Sequence, residues 1–163
     1  MARTISNPHR AAFLNLSVTE GRITLPKPLS DQLPWIESLE PHGWFYIISA
    51  GRYRLLSDEQ VQLDSALADV RKLVLEGKPT ESPTGPIQAG PDHYDVIVAR
   101  LWPLSAGLQD QKVRLTLPSD LLALLPPECN PRSVSIILSP EGYWEIWYTD
   151  VLKKAVDSPL NRR

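Results

Sequence analysis

Leu14, Leu16 and Val18 alternate with Asn15, Ser17 and Thr19, the period-two pattern of a strand with one buried face. Thr19-Glu20-Gly21 offers a turn whose glycine can take positive φ, and Arg22 to Leu25 predicts the return strand. Pro26 and Pro28 suit only the first turn of a helix, where N–H groups lack intrahelical partners. A short helix is therefore predicted from Pro26 to Leu33, stopped by Pro34. Trp44 to Ser49 and Arg52 to Leu56 are dense in β-formers and flank Ala50-Gly51, a hairpin signal. Ser57 and Gln60 match a capping box, and Leu63, Leu67, Val70 and Val74 recur at helical spacing. One helix with a single buried face is predicted there, ending near Gly77. Residues 1–12 show no periodicity and suit an arm or edge strand.

Lys78 to Pro91 is rich in Pro, Thr, Ser and Gly, with little to bury, and is expected to be a linker. Beyond it Tyr94 to Leu101 predicts a strand. Ser133 to Leu138 and Tyr143 to Tyr148 predict a hairpin around Pro140-Glu141-Gly142, and Thr149-Asp150 opens a last helix with Val151, Leu152 and Ala155. Between them, Val113-Arg114-Leu115-Thr116-Leu117-Pro118 repeats the core of Gly21-Arg22-Ile23-Thr24-Leu25-Pro26, 92 positions later (114 minus 22). A helix is expected after this copy too, from Pro118 to Leu125 before Pro126-Pro127. The order strand, turn, strand, helix, strand, turn, strand, helix occurs on both sides of the linker, as a duplicated unit requires. The expected organisation is a first repeat at 1–77, a linker at 78–91 and a second repeat at 92–163.

Composition narrows the class. At 163 residues, 42% hydrophobic and 22% charged, the chain suits one domain or two very small ones, and its 16 prolines favour short elements. The net charge of −2 lacks the basic excess of many nucleic-acid-binding proteins, so any such function needs a local patch. Arg3, Arg10, Arg22 and Lys27 stand against Glu20 alone between Met1 and Pro28, whereas Asp58, Glu59, Asp64 and Asp69 meet no base between 58 and 69. A single cysteine, Cys129, allows no internal disulfide and suits a reducing cytoplasm. No signal-peptide core and no bilayer-length apolar run occurs, so a membrane location is not expected.

The two arginine-strand-proline motifs resemble the MraZ family, bacterial regulators built from two AbrB-type swapped-hairpin domains. The carriers are Gly21 to Pro26, Asp110 to Arg114 with Leu117-Pro118, Arg100-Leu101-Trp102 and Glu145-Ile146-Trp147. The likeness runs from about Arg3 to Ala155. The chain departs from the family pattern at Val18 and Glu20, where aspartate and lysine are expected, at Val113, where glycine is expected, and at Ser30, where arginine is expected. The resemblance implies an α+β, mainly β fold: a duplicated AbrB-like swapped-hairpin unit forming a small β-barrel core with short helices. It also implies a cytoplasmic, nucleoid-associated homo-oligomer, of which a ring is one form. Such a protein would bind double-stranded DNA at promoter repeats as a transcriptional regulator, and the family's usual target is the promoter of the division and cell-wall gene cluster.

The residues themselves allow a matching chemistry. An arginine just past a tight turn projects from the end of a β-ribbon, where its guanidinium can fork onto a phosphate or onto guanine O6 and N7. Arg22 and Arg114 are the candidates for this role, with Asp110 orienting Arg114, and Arg3, Arg10, Lys27 and Lys112 supplying further phosphate contacts. The competing reading of Arg114 with Asp110 is an ordinary surface ion pair. Trp144 and Trp147 have opposite strand parity, and Trp44 sits in an apolar run, so the tryptophans are expected in core and interfaces. Cys129 lies in a proline-flanked turn without a base, and His9, His42 and His93 are scattered without metal-ligand spacing. The chain is accordingly expected to be no enzyme and to need no cofactor. Two other readings stay open: a divergent oligomeric scaffold that mediates protein interaction without DNA, and an AbrB-type antitoxin, for which the tail Asp157 to Arg163 is short.

Overall fold

The computed structural model describes residues 11–37, 43–77, 84–89, 94–109, 112–117, 122 and 125–157. The fold is α+β and mainly β, with antiparallel sheets and short helices. The larger sheet has six strands in the order β1 (Ala12–Ser17), β10 (Ser133–Leu138), β11 (Trp144–Tyr148), β4 (Arg52–Ser57), β3 (Gly43–Ser49) and β7 (Leu101–Pro103). A second sheet has the order β2 (Arg22–Thr24), β9 (Lys112–Thr116) and β8 (Ser105–Gln109). Strands from both sides of the 78–91 stretch thus interleave in both sheets: β1 pairs with β10, β7 with β3, β11 with β4, and β2 with β9.

Side-chain alternation directs the packing. Phe13, Phe45, Tyr53, Leu55, Val134, Ile136, Ile146 and Tyr148 from the large sheet join Ile23, Val113 and Leu115 from the small one in a single buried cluster. A smaller cluster lies on the opposite face of the large sheet, where Trp44, Leu56 and Leu101 receive Val61 and Val70. Those two valines come from α2 (Asp58–Leu63) and α3 (Ser65–Leu75). At the seam between β4 and β11, Glu145 is 1% exposed and accepts hydrogen bonds from Arg52 Nε (2.8 Å), Arg52 Nη2 (3.2 Å), Arg54 Nη2 (3.2 Å) and Trp147 Nε1 (3.1 Å).

Several expectations need correction. No closed barrel forms among the described residues: the strands pair into separate sheets, and β1 and β7 remain edges of the larger one. Leu104 N still donates to the Gly43 carbonyl of β3 (3.0 Å), and past it the chain enters β8 in the small sheet. The long helix expected after Ser57 is two helices. The Ser57–Gln60 capping box is present, but Asp64 then takes an extended conformation (φ −99°, ψ 113°) and its carboxylate accepts from the Ala66 and Leu67 N–H groups. This second cap restarts the chain in a new direction, so Leu63, expected on the buried face, is 80% exposed. The helix expected over Pro26 to Leu33 is shorter, α1 (Lys27–Ser30), followed by a 3₁₀ turn at Pro34–Glu37, although Leu29 and Leu33 are both buried as anticipated.

The stretch expected as a linker contains strand β5 (Thr84–Ala89), which pairs along its length with β6 (Tyr94–Ala99). Among the described residues β5 pairs on one side only, where Pro86 is tolerated. The strand expected from Tyr94 to Leu101 is split at Arg100, whose Nη1 donates to the Ile47 and Ile48 carbonyls. The Pro118 to Leu125 helix lies mostly outside the described residues. The last hairpin and α4 (Thr149–Asp157) match expectation. No helix among the described residues is long and apolar enough to cross a membrane.

Candidate nucleic-acid interface

The candidate site begins with the turn Thr19–Arg22, closed by a reciprocal backbone pair, Thr19 N to Arg22 O (2.9 Å) and Arg22 N to Thr19 O (3.0 Å). Both central residues have positive φ, Glu20 at 53° and Gly21 at 76°, the conformation that matches strand twist in two-residue hairpins. Glycine takes it without penalty, whereas Glu20 holds it against its own Cβ.

β2 and β9 then pair antiparallel with Arg22 opposite Thr116, Ile23 opposite Leu115 and Thr24 opposite Arg114. The bonds beyond the ladder follow the same symmetry: Leu25 N donates to Val113 O (2.9 Å) and Leu117 N to Gly21 O (2.8 Å). Each motif position therefore faces the counterpart of its own partner, around a centre at Ile23 and Leu115. Alternation sends Ile23, Val113 and Leu115 into the core. It sends Arg22, Thr24, Lys112, Arg114 and Thr116 to the opposite, outer face.

Arg22 and Arg114 are diagonal neighbours on that face, which places their backbone positions roughly 7–8 Å apart. Together they line a shallow cleft of about 250 Å3 with Thr116, Ser105, Ala106, Gly107 and Leu108. No carboxylate lines it among the described residues. Arg114 Nε reaches Thr24 Oγ1 at 3.4 Å, a long contact that leans the guanidinium toward β2. Gly107 stands directly opposite Arg114 in β8, with open space where a Cβ would be, and so leaves that side clear.

Arg22, Lys112 and Arg114 thus share one face. Lys27 is 84% exposed at the start of α1 and makes a 3.3 Å ion pair with Asp31, so part of its field is spent within its own helix. Arg3, Arg10 and Asp110 lie outside the described residues, as do His9, His42 and His93. The hydroxyls of Thr24, Ser105 and Thr116 were not singled out from the sequence. For Thr24 and Thr116 the signal is the Arg-x-Thr spacing of both motif copies, since positions two apart share a strand face, whereas Ser105 is placed only by its pairing with Thr116.

Trp44 is buried and donates to Asp58 Oδ1 at 2.8 Å, whereas Trp147 is half-buried with the Arg52 guanidinium 4.5 Å above its ring. Cys129 is buried, and burial first, then the charges of Asp150 and Glu128, push its thiol pKa up. No cluster of potential metal-ligating side chains occurs among the described residues. No protein-family model, curated protein or solved structure matches this chain.

Proposed function

We propose that this chain is a DNA-binding transcriptional regulator of MraZ type, and that the outer face of the β2–β9–β8 sheet is its DNA-contacting surface. The observation that carries the reading is the convergence of Arg22, Lys112 and Arg114 with three hydroxyls on one exposed face. The β2–β9 register, which relates the two motif copies by a two-fold centre, supports a duplicated swapped-hairpin origin. In this reading β-strands present guanidiniums to phosphates or to guanine edges, as other sheet-based readers do. Cytoplasmic, nucleoid-associated location and assembly into a homo-oligomer belong to the same proposal, because three cations per subunit bind DNA weakly unless several copies engage repeats together.

Binding to the DNA upstream of the chain's own gene, measured across a salt series, tests it. Three neutralised phosphates give a log–log slope of about −2.7 per subunit, and replacing Arg22 or Arg114 by alanine should lower it by about 0.9 each. A salt-independent affinity, or alanine variants indistinguishable from the parent, would refute the proposal.

The scaffold reading keeps one observation of its own. Leu63 projects at the elbow between α2 and α3, bordering clefts of about 550 and 490 Å3, amid Asp58, Glu59 and Asp64. In that reading Leu63→Ser abolishes partner binding while Arg22→Ala leaves it intact.

A further inference from the structure

The chain carries an acidic knob and a basic cleft on separate surfaces. Asp64, extended between α2 and α3, bends the chain, and Leu63 stands at that elbow with 80% of its surface exposed. Glu59 shares the cleft on one side of Leu63 and Asp64 the cleft on the other, and both carboxylates are exposed. The cations nearby are already engaged. Arg71 donates to Asp58 at 2.5 and 3.0 Å, and Arg54 donates to Glu145 at 3.2 Å. An apolar knob between two carboxylates therefore faces solvent.

The cleft of about 250 Å3 between Arg22 and Arg114 is its counterpart. Gly107 leaves open space where a Cβ would be, and Leu108, 53% exposed, adds apolar lining. A cavity of about 150 Å3 accommodates benzene, which is bulkier than a leucine side chain, so the cleft has room for one. No carboxylate among the described residues lines it, so an incoming carboxylate meets guanidiniums alone. We propose that Leu63 of one copy docks into the Arg22–Arg114 cleft of a second copy, with Glu59 and Asp64 pairing across to the arginines. Self-association then covers the face that contacts DNA, and the two compete. Because knob and cleft are different surfaces, the contact is head-to-tail, and each pairing leaves one elbow and one cleft open for the next copy. One leucine and two ion pairs make a small contact, so its Kd should lie between roughly 10 μM and 1 mM and rise with salt. The competition rests on the DNA-binding reading, whereas the contact itself is measured without DNA.

Sedimentation equilibrium of the full chain tests the contact. The mean mass should rise with concentration and fall with added salt. Leu63→Ser, at an exposed position, should fold and weaken association roughly tenfold or more. Arg22→Glu should do the same through the other surface, with Arg22→Gln as the substitute if the glutamate variant loses its circular dichroism spectrum. Mixed in equal amounts, the Leu63→Ser and Arg22 variants should associate again, since one keeps the cleft and the other the elbow. Parental self-association in Leu63→Ser would overturn the inference and leave the elbow to a different protein. A mixture no heavier than its components would overturn it as well. On the upstream DNA, at concentrations where the parent associates, Leu63→Ser should bind severalfold more tightly, and equal affinity of the two would overturn the competition. Restored association in the mixture, with no DNA bound by either protein, would refute the DNA-binding reading and uphold the contact.

Discussion

Glu145→Gln should be among the most damaging single substitutions in the larger sheet. Glu145 is 1% exposed at the seam where β11 meets β4, a pairing of only three registered positions, Glu145 with Arg54, Ile146 with Tyr53 and Trp147 with Arg52. Its carboxylate accepts from Arg52 twice, from Arg54 and from Trp147, all within 3.2 Å. Glutamine preserves the shape but replaces one acceptor oxygen with an N–H2 donor facing guanidinium donors, and it removes the charge. Breaking a buried ion pair from one side costs about 3–5 kcal/mol, because the other charge is left uncompensated. Here Arg52 and Arg54 retain 30% and 24% exposure and can partly rehydrate. That lowers the expected loss to about 2–4 kcal/mol, or roughly 5–15 °C in Tm for a chain of this size. Urea and thermal unfolding followed by circular dichroism, with Trp147 fluorescence reporting the seam, would measure it. Arg52→Ala should cost more than Arg54→Ala, since Arg52 binds through two nitrogens and also stacks on Trp147. A shift in the urea midpoint worth under about 1 kcal/mol would refute the reasoning, because that is the range of surface ion pairs.

Three further outcomes follow from local features. The Asp58 pKa is lowered by hydrogen bonding from Arg71 first, with Trp44 and Gln62 adding to it against the opposing effect of burial. A depressed folded-state pKa contributes stability above the ordinary carboxylate range near pH 4, lost as pH falls through the lower folded value. The stability gap between the parent and Asp58→Asn in urea should therefore close on acidification below about pH 4. Gly51→Ala should cost about 2–3 kcal/mol, since φ is +80° and a Cβ would lie 2.8 Å from Val151 Cγ2 and 2.9 Å from Leu125 Cδ2. Gly21→Ala, with φ +76° but open space around it, should cost about 1 kcal/mol, and equal losses at the two sites in chemical unfolding would contradict this account. Ser57→Ala should lose about 1 kcal/mol by removing the α2 cap, with helical signal at 222 nm as the readout.

The elements most legible in the sequence were those whose signal is local. The hairpin around Pro140 to Gly142 announces itself by two runs of β-formers around a glycine, and Gly142 indeed takes φ 92°. The Ser57–Gln60 box is an interaction between residues three apart, so it survives whatever the rest of the chain does. Asp64 was less legible: aspartate inside an apolar-periodic run reads as a solvent-facing helical residue, and only the structure shows it acting as a cap. The Pro/Ser/Gly stretch before Tyr94 hides its strand for a related reason, since β5 owes its conformation to β6 and not to its own composition. For the candidate site, the spacing of Arg22 with Thr24 and of Lys112 with Arg114 and Thr116 was already present. That these belong to one face, with Gly107 and Ser105 beside them, required the β2–β9–β8 register.

The sequence by itself determined the turn at Glu20-Gly21, the Ser57 cap and the two arginine-strand-proline motifs, because each depends on residues a few positions apart. It did not determine the buried face of β1, where Phe13 is buried and Leu14, expected inside, is 56% exposed, with Asn15 at φ 59° and a register shift between Phe13 and Leu16. Only the tertiary structure decided that β1 lies on β10, β7 on β3 and β2 on β9, and hence that Arg22 and Arg114 are neighbours. Pairings between residues 55 (Tyr46 with Leu101) to 125 (Ala12 with Ile137) positions apart leave no periodic trace, since any strand with one apolar face can pair with several others. What selects among them is the joint burial of Ile23, Leu115, Tyr53 and Ile146 in one core, a condition met by the whole chain and by no segment of it.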